Sequence, residues 1–167
     1  MLLAIVLSFL HSLYIVARPY TAELARVPGS TVWWPPGASD RVEQVPGVLV
    51  FAPAAPLNFT NAQGIGDRIK AAVAARHPPV KLLVIEASGI IDIDYTGSQL
   101  LQRAIADLAA RGITVAIARL SHEQAQLEAG RSGLAESIGK DHVFMSVEEA
   151  VRKLRPPQPN DAPAKAR

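Results

Sequence analysis

Runs of apolar residues of strand length alternate with runs of helical spacing from Val48 onward. The strand-like runs are VLVFA, VKLLVIEA and ITVAIA, with two shorter ones, PLNF and HVFM. The helical runs are NAQGIGDRIKAAVAAR, GSQLLQRAIADLAARG, SHEQAQLEAGRSGLAESIG and SVEEAVRKL. Because strands that alternate with helices build a sheet covered by helices, the pattern predicts an α/β fold.

An uncharged apolar run precedes this pattern. Residues 1–17, MLLAIVLSFLHSLYIVA, contain no Asp, Glu, Lys or Arg. As a helix the run would be roughly 25 Å long, slightly short of a hydrocarbon core about 30 Å thick. We expect a membrane helix or the end of one. The alternatives are a signal peptide, which would need a basic start and a cleavage site, and a soluble helix that packs on the domain. In a membrane, Arg18 and Arg26 would place the following residues in the cytoplasm.

Proline and glycine divide the rest of the chain into segments. The stretch RVPGSTVWWPPGASDRVEQVPG contains two Pro-Gly pairs and a Pro-Pro-Gly, which interrupt any continuous helix, so we predict a linker at residues 18–46. The domain is then expected at residues 47–155. The Pro-rich stretch 156–167 is predicted to be a disordered tail.

Charge and composition narrow the classes of function. The chain of 167 residues has no cysteine, which excludes disulfides, thiolate catalysis and cysteine-based zinc sites. It has 17 basic and 15 acidic residues, but residues 152–167 hold five of the basic ones and one acidic one. The remainder, with 12 basic and 14 acidic residues, is slightly acidic. We therefore expect no nucleic acid among the partners.

Motifs for enzymatic chemistry are incomplete. The GIG at 64–66 lacks the third glycine of a dinucleotide-binding loop, and HEQAQ at 122–126 lacks the second histidine of a zinc site. The four histidines are scattered without ligand spacing, and no glycine loop with a lysine suits a nucleotide phosphate. We predict no catalytic residue, no metal and no cofactor, so that a nucleotide-hydrolysing enzyme is the weakest class.

The stretch IDIDYTGSQLLQ, residues 91–102, concentrates polar residues where a strand-like run gives way to a helix. Thr96 or Asp94 can cap that helix, and Thr96 with Gln99 has the spacing of a capping box. A hydroxyl at a helix N-terminus also lies where a phosphate would be stabilised by free N–H groups and the helix dipole. A structural cap and a regulatory hydroxyl therefore both remain open for Thr96.

The strand, the DIDYTG loop and the following helix resemble the sulfate transporter and anti-sigma factor antagonist (STAS) domain. The segments SFLHSLYIVARPYTAELARVPGSTVWW, PGVLVFAPAAPLNFTNA and VIEASGIIDIDYTG are similar, in this order, to the last membrane segment and cytoplasmic STAS domain of SulP-type anion permeases. The resemblance runs from about residue 5 to about residue 155. It implies a mixed β-sheet of about four to five strands packed with about four helices, preceded by an apolar N-terminal helix.

The same resemblance implies a regulatory or interaction domain of a sulfate or anion transporter, without catalysis. It places the chain at the membrane with the STAS domain in the cytoplasm. Expected partners are the membrane, the transmembrane core of an anion permease, and a regulatory protein or kinase. The alternative is a free-standing switch similar to an anti-sigma factor antagonist, which would lack the apolar leader.

In phosphorylated relatives the acceptor is the hydroxyl residue before the glycine of an Asp-x-Ser/Thr-Gly loop. By resemblance that residue is Thr96, with Asp94 and Gly97 as its loop companions. Two features depart from the family pattern. The long transporter core is missing, so we do not expect this chain alone to be an anion pore, and Tyr95 stands where phosphorylated antagonists usually have a small residue.

Overall fold

The computed structural model describes residues 1–38 and 41–157, in which six strands form one sheet with helices on both faces. The strand order across the sheet is β2-β1-β3-β4-β5-β6. The strands are β1 (Thr21–Arg26), β2 (Trp33–Trp34), β3 (Val48–Pro53), β4 (Leu82–Glu86), β5 (Thr114–Ala118) and β6 (Val143–Phe144). The helices are α1 (Leu2–Ala17), α2 (Ala62–Ala74), α3 (Tyr95–Ala110), α4 (Glu123–Arg131), α5 (Leu134–Ile138) and α6 (Val147–Leu154). This is the mixed α/β architecture that the sequence predicts, with one strand more than expected.

Four strands, β3 to β6, run parallel, and β1 runs antiparallel to β3. The parallel strands therefore all finish at one end of the sheet, which we call the carboxyl end. Because β1 is antiparallel, its first residue, Thr21, pairs with Pro53, the last residue of β3. The loops that follow β3, β4, β5 and β6 thus lie at the same end as the connection between α1 and β1.

Apolar side chains pack on both faces of the sheet. On one face, Leu83 and Ile85 belong to a core completed by α2, α3, α4 and α5. On the other face, Leu82 and Val84 pack with α6. A strand covered on both sides needs apolar residues at every position, because neither face meets water. This requirement explains why LLVI is an unbroken apolar run rather than an alternating one.

The prediction that residues 18–46 form a linker is wrong for two segments. Residues Thr21–Arg26 and Trp33–Trp34 are strands β1 and β2, which extend the sheet beyond β3. The indole Nε1 of Trp33 donates to Glu148 Oε2 at 3.0 Å, which ties β2 to α6. Because β1 is only partly buried at most positions, its sequence lacks the apolar run that marks the central strands. The folded unit therefore begins near Pro19 rather than at residue 47.

Three smaller differences concern individual elements. PLNF forms no strand; Leu57 makes only an isolated bridge to Ile93. The helical run 121–139 is divided into α4 and α5 at Gly133, whose φ of 78° no helix accommodates. The predicted tail, 156–167, falls largely outside the described residues, which end at 157.

Helix α1 projects from the domain without packing on its core. All 16 of its residues are exposed, although nearly all of them are apolar. In the described ranges 1–38 and 41–157, no helix is long and apolar enough to cross a membrane. The helix has the length expected from the sequence, and its apolar surface has no partner among the described residues of the domain.

The pairing of β1 with β3 predicts how far the chain can be shortened from its N-terminus without loss of stability. A fragment beginning at Pro19 keeps β1 and β2, so we expect it to unfold cooperatively. A fragment beginning at Val45 loses four residue pairs between β1 and β3 and the bond from Trp33 to α6. We expect that fragment to unfold at lower denaturant concentration in circular-dichroism titrations. Equal midpoints for the two fragments would contradict the structural role given to β1.

Candidate functional site

The loop between β4 and α3 is fastened to the segment that precedes α2. Leu57 N donates to Asp92 O at 2.9 Å, and Asp94 N donates to Leu57 O at 2.9 Å. These two bonds make the local bridge between Leu57 and Ile93. The loop and the 56–61 segment are thus one unit at the carboxyl end of the sheet, although more than thirty residues separate them in the sequence.

Asp94 connects the two parts of this unit through its carboxylate. It is the N-cap of α3: Oδ1 accepts from Gly97 N at 2.5 Å. Its other oxygen, Oδ2, accepts from Phe59 N at 3.0 Å. One carboxylate therefore satisfies a free N–H at the start of a helix and a backbone N–H of a distant loop. The negative charge also suits the positive end of the helix dipole.

Thr96 does not cap the helix. It is the second helical residue, after Tyr95, and its side chain is exposed. The capping box expected between Thr96 and Gln99 is wrong, because Gln99 Nε2 instead donates to Ser132 O at 3.4 Å. Of the two candidate caps, Asp94 takes the role because its extended backbone (ψ 162°) precedes the first turn. The exposed hydroxyl of Thr96 remains a predicted phosphate acceptor.

Gly97 lies at a close contact between backbones. A Cβ at this position would lie 2.8 Å from Leu57 O and 2.9 Å from the Cα of Asn58. Neither neighbour is the end of a flexible side chain, so the backbone would have to shift to admit any larger residue. The absence of a side chain lets the first turn of α3 lie directly on the 57–58 backbone.

A pair of serines, which the sequence did not suggest, holds α3 to the end of α4. Ser98 is fully buried, and its Oγ donates to Ser132 Oγ at 2.6 Å. Gln102 Nε2 donates to Ser98 Oγ at 3.1 Å and to Ser132 O at 3.0 Å. These bonds satisfy polar groups that would be costly to bury alone. Because the bonds to Ser132 join residues 34 and 30 positions apart, no local spacing in the sequence indicates them.

A second polar pair lies where β4 and β5 end. Glu86 is 6% exposed, and its Oε1 lies 3.5 Å from Arg119 Nε. Arg119 has a φ of 60°, and in the described chain it is the one non-glycine residue with a positive φ. A buried carboxylate requires such a partner, since an unpaired buried charge is strongly unfavourable. Neither residue was identified from the sequence, because each stands alone between apolar neighbours.

A cavity of about 570 Å³ opens beside this pair, between the ends of β5 and β6 and helices α4 and α5. Its wall is mainly apolar, with Arg119, Ser121 and Gln126 as polar groups. This volume is in the range of small-molecule sites, and the carboxyl end of a parallel sheet is where such sites occur. Within the described residues, no three His, Asp or Glu side chains are grouped to hold a metal ion.

The different positions of Asp94, Thr96 and Gly97 predict an order of stabilities. We expect Asp94→Ala to lower the free energy of unfolding by about 1–2 kcal/mol through the lost cap. Thr96→Ala should change it by less than about 0.5 kcal/mol, as for exposed residues without special contacts. Gly97→Val should be the most damaging, because its side chain meets the 57–58 backbone.

Denaturant titrations of the three variants in the fragment beginning at Pro19 measure this order. Asp94→Asn is the matched control, since its one carbonyl oxygen can keep the cap but its amide cannot also accept from Phe59 N. It should fall between the parent and Asp94→Ala. A Thr96→Ala variant as unstable as Asp94→Ala would contradict the assignment of the cap.

Comparisons with known proteins point to one domain family. The family model of the STAS domain matches residues 41–150. A probable sulfate transporter of Mycobacterium tuberculosis (strain H37Rv) is 32% identical over 154 residues, covering 92% of this chain and 27% of that protein. Sulfate transporter 1.3 of Arabidopsis thaliana is 30% identical over 164 residues, covering 93% of this chain and 25% of that protein. The chain thus spans about a quarter of the length of these relatives.

Solved structures share the fold. A structure of the murine Solute Carrier 26 family member A9 anion transporter, in the inward-facing state, aligns with 87% of this chain and 24% of its own at a TM-score of 0.79 and 21% identity. An anti-sigma factor antagonist from Mycobacterium paratuberculosis aligns with 68% of this chain and 91% of its own at a TM-score of 0.55 and 18% identity. On the match to the family model and the 32% identity over most of its length, the chain belongs to the STAS domain family.

Proposed function

We propose that this chain is the cytoplasmic regulatory STAS domain of a SulP-type anion transporter, carried by the end of a transmembrane segment, α1. The observation that carries the proposal is the apolar helix itself. All 16 residues of α1 are exposed, and the charged Arg18 follows directly. An unpacked apolar helix of this kind is costly in water but stable in a bilayer or against other membrane helices.

The similarity to sulfate transporters extends beyond the residues that the family model matches, and this supports the assignment. The alignments with sulfate transporters cover more than nine-tenths of this chain, whereas the family model begins at residue 41. The anti-sigma factor antagonist covers only 68% of the chain. The aligned region in the transporters is therefore longer than a STAS domain alone. This favours the transporter proposal over a free-standing antagonist.

The domain acts by contact rather than by catalysis in this proposal. Asp94, the acidic group at the centre of the loop, is occupied by two backbone N–H groups and is not available as a general base. Glu86 is buried and paired with Arg119. The remaining loop hydroxyl, Thr96, is exposed and suits modification by a partner kinase. The aligned transporters support an anion permease core as the other partner.

The membrane role of α1 predicts a difference between two chains. The full chain expressed in bacteria should sediment with membranes and resist extraction by alkaline carbonate. The fragment beginning at Pro19 lacks α1 and should stay in the supernatant. Leu7→Asp places a charge at the middle of α1, at a cost of about 2.5–3.5 kcal/mol in a membrane-spanning helix, and should shift the full chain toward the supernatant. Extraction of the unaltered full chain by carbonate would refute the membrane assignment.

Phosphorylation at Thr96 has its own test. Incubation with a serine/threonine kinase that modifies STAS domains should add one phosphate, located at Thr96 by mass spectrometry and absent from Thr96→Val. The backbone bonds of Asp94 should persist, because Thr96 takes no part in them. Modification confined to other residues would show that the exposed hydroxyl is not the acceptor.

A further inference from the structure

The end of the sheet from which α1 departs is also the end that carries the Asp94 loop. Thr21 starts β1 opposite Pro53, the last residue of β3, so α1 leaves the domain at the carboxyl end. Tyr20 O accepts from Ala54 N at 3.0 Å, just after β3. The loop that holds Asp94 follows β4 at this same end. The sheet therefore places the start of β1, from which α1 departs, and the Asp94 loop at the same end of the domain.

Side-chain bonds fix the base of α1 against the loop unit. Asn61 is 1% exposed; its Nδ2 lies 3.4 Å from Val16 O, in the last turn of α1, and 2.9 Å from Pro56 O. Its Oδ1 accepts from Asn58 N at 3.0 Å. Arg68 Nη1 donates to Pro19 O at 2.6 Å, which holds the residues after α1 to helix α2. The 56–61 segment thus lies directly beside the end of α1.

The large apolar side chains that the domain exposes most also gather at this end. After residue 18, in the described chain, the four most exposed are Met145 at 89%, Tyr20 at 70%, Tyr95 at 69% and Phe59 at 68%. Tyr20 precedes β1, Phe59 follows β3, Tyr95 follows the loop after β4, and Met145 follows β6. Exposed apolar groups collected on one surface mark a site of contact with a membrane or another protein.

We propose that the carboxyl end of the sheet, with Phe59 and Tyr95 on either side of Asp94, rests on the bilayer surface around the base of α1. This inference depends on the proposed function, because it requires α1 to be in the membrane. An inserted α1 would bring residues beside its last turn to the level of the lipid headgroups. Tyr20 and Tyr95 have the amphipathic rings favoured at that level, and Phe59 can enter the acyl boundary.

The charges at the carboxyl end agree with a bilayer contact that depends on aromatic rings rather than on net charge. The exposed charges at this end are of both signs: Arg18 and Arg119 are basic, and Asp92 and Glu123 are acidic. The carboxylate of Asp94 is directed at backbone N–H groups rather than outward. The contact should therefore need no anionic lipid, and it should persist when salt is raised.

Thr96, the predicted phosphate acceptor, is next to Tyr95 and lies on this surface. A phosphate there would bring a charge of about −1.5 to −2 to a surface in contact with lipid. Such a group resists transfer out of water, and anionic lipid repels it. Modification of Thr96 would then lift the carboxyl end from the bilayer while α1 stays inserted. The phosphate would act as a release signal.

Site-directed spin labelling can test this arrangement, because the chain has no native cysteine. Single cysteines would be introduced by Phe59→Cys, Tyr95→Cys and Met145→Cys, labelled with a nitroxide, and the full chain reconstituted into phosphatidylcholine vesicles. Collision rates with oxygen, which concentrates in lipid, and with a water-soluble nickel chelate report the depth of each label. Lys81→Cys and Arg111→Cys, at exposed positions on the opposite end of the sheet, are the matched controls.

We expect labels at the three carboxyl-end positions to have a severalfold higher ratio of oxygen to nickel collisions than the two controls. A label from Leu7→Cys, within α1, reports insertion of the helix independently. Two double variants combine Phe59→Cys with a change at Thr96. Thr96→Glu should lower the ratio of oxygen to nickel collisions at position 59, and Thr96→Val should leave it unchanged. Neither change should alter the ratio at position 7.

The label at position 7 distinguishes failure of the inference alone from failure of the proposed function. A buried label at position 7 with water-exposed labels at 59, 95 and 145 would overturn the inference and leave the membrane role of α1 intact. A water-exposed label at position 7 would refute both. Labels at 59 and 95 that are shielded from both reagents and show dipolar coupling between copies would indicate contact with a second chain instead of lipid, and would also overturn the inference.

Discussion

The contact between the first turn of α3 and the backbone at Leu57 and Asn58 determines the geometry of the whole carboxyl end. It requires the missing side chain of Gly97, and the two oxygens of Asp94 hold it in place. Because the 56–61 segment is fixed in this way, Asn61 is positioned beside the last turn of α1. A conformation of one loop is thereby coupled to the position of an apolar helix.

The sequence predicts the central strands and helices well, since burial on both faces leaves a clear apolar signal. The apolar runs of β3, β4 and β5 have the length and composition of buried strands. The resemblance to STAS domains is confirmed by the family model and by the aligned relatives. Strands β1 and β2 were missed. They lie at the outside of the sheet among Pro-Gly pairs, and β2 is held by a bond from Trp33 to a residue 115 positions away, which no local pattern records.

Residues of the candidate site were predictable only where they are neighbours in the chain. Asp94, Thr96 and Gly97 form one loop, so their grouping followed from the sequence, but which of them caps α3 depends on backbone angles that the sequence left open. The partners Phe59, Ser132 and Arg119 come from other segments. Their roles arise from the three-dimensional fold and could not have been assigned from a single sequence.

The outermost strands of the sheet, β2 and β6, are only two residues long. A peptide that binds by strand addition needs a row of unpaired backbone groups, and two residues offer too few for a stable ladder. However, β2 pairs only with Ala25 and Arg26, and β6 only with Ile117 and Ala118. In the described chain, the remaining edges of β1 and β5 therefore have no neighbouring strand. A partner that binds by strand addition would have to use these short stretches of β1 and β5, whereas recognition elsewhere depends on the side chains of the loops and helices.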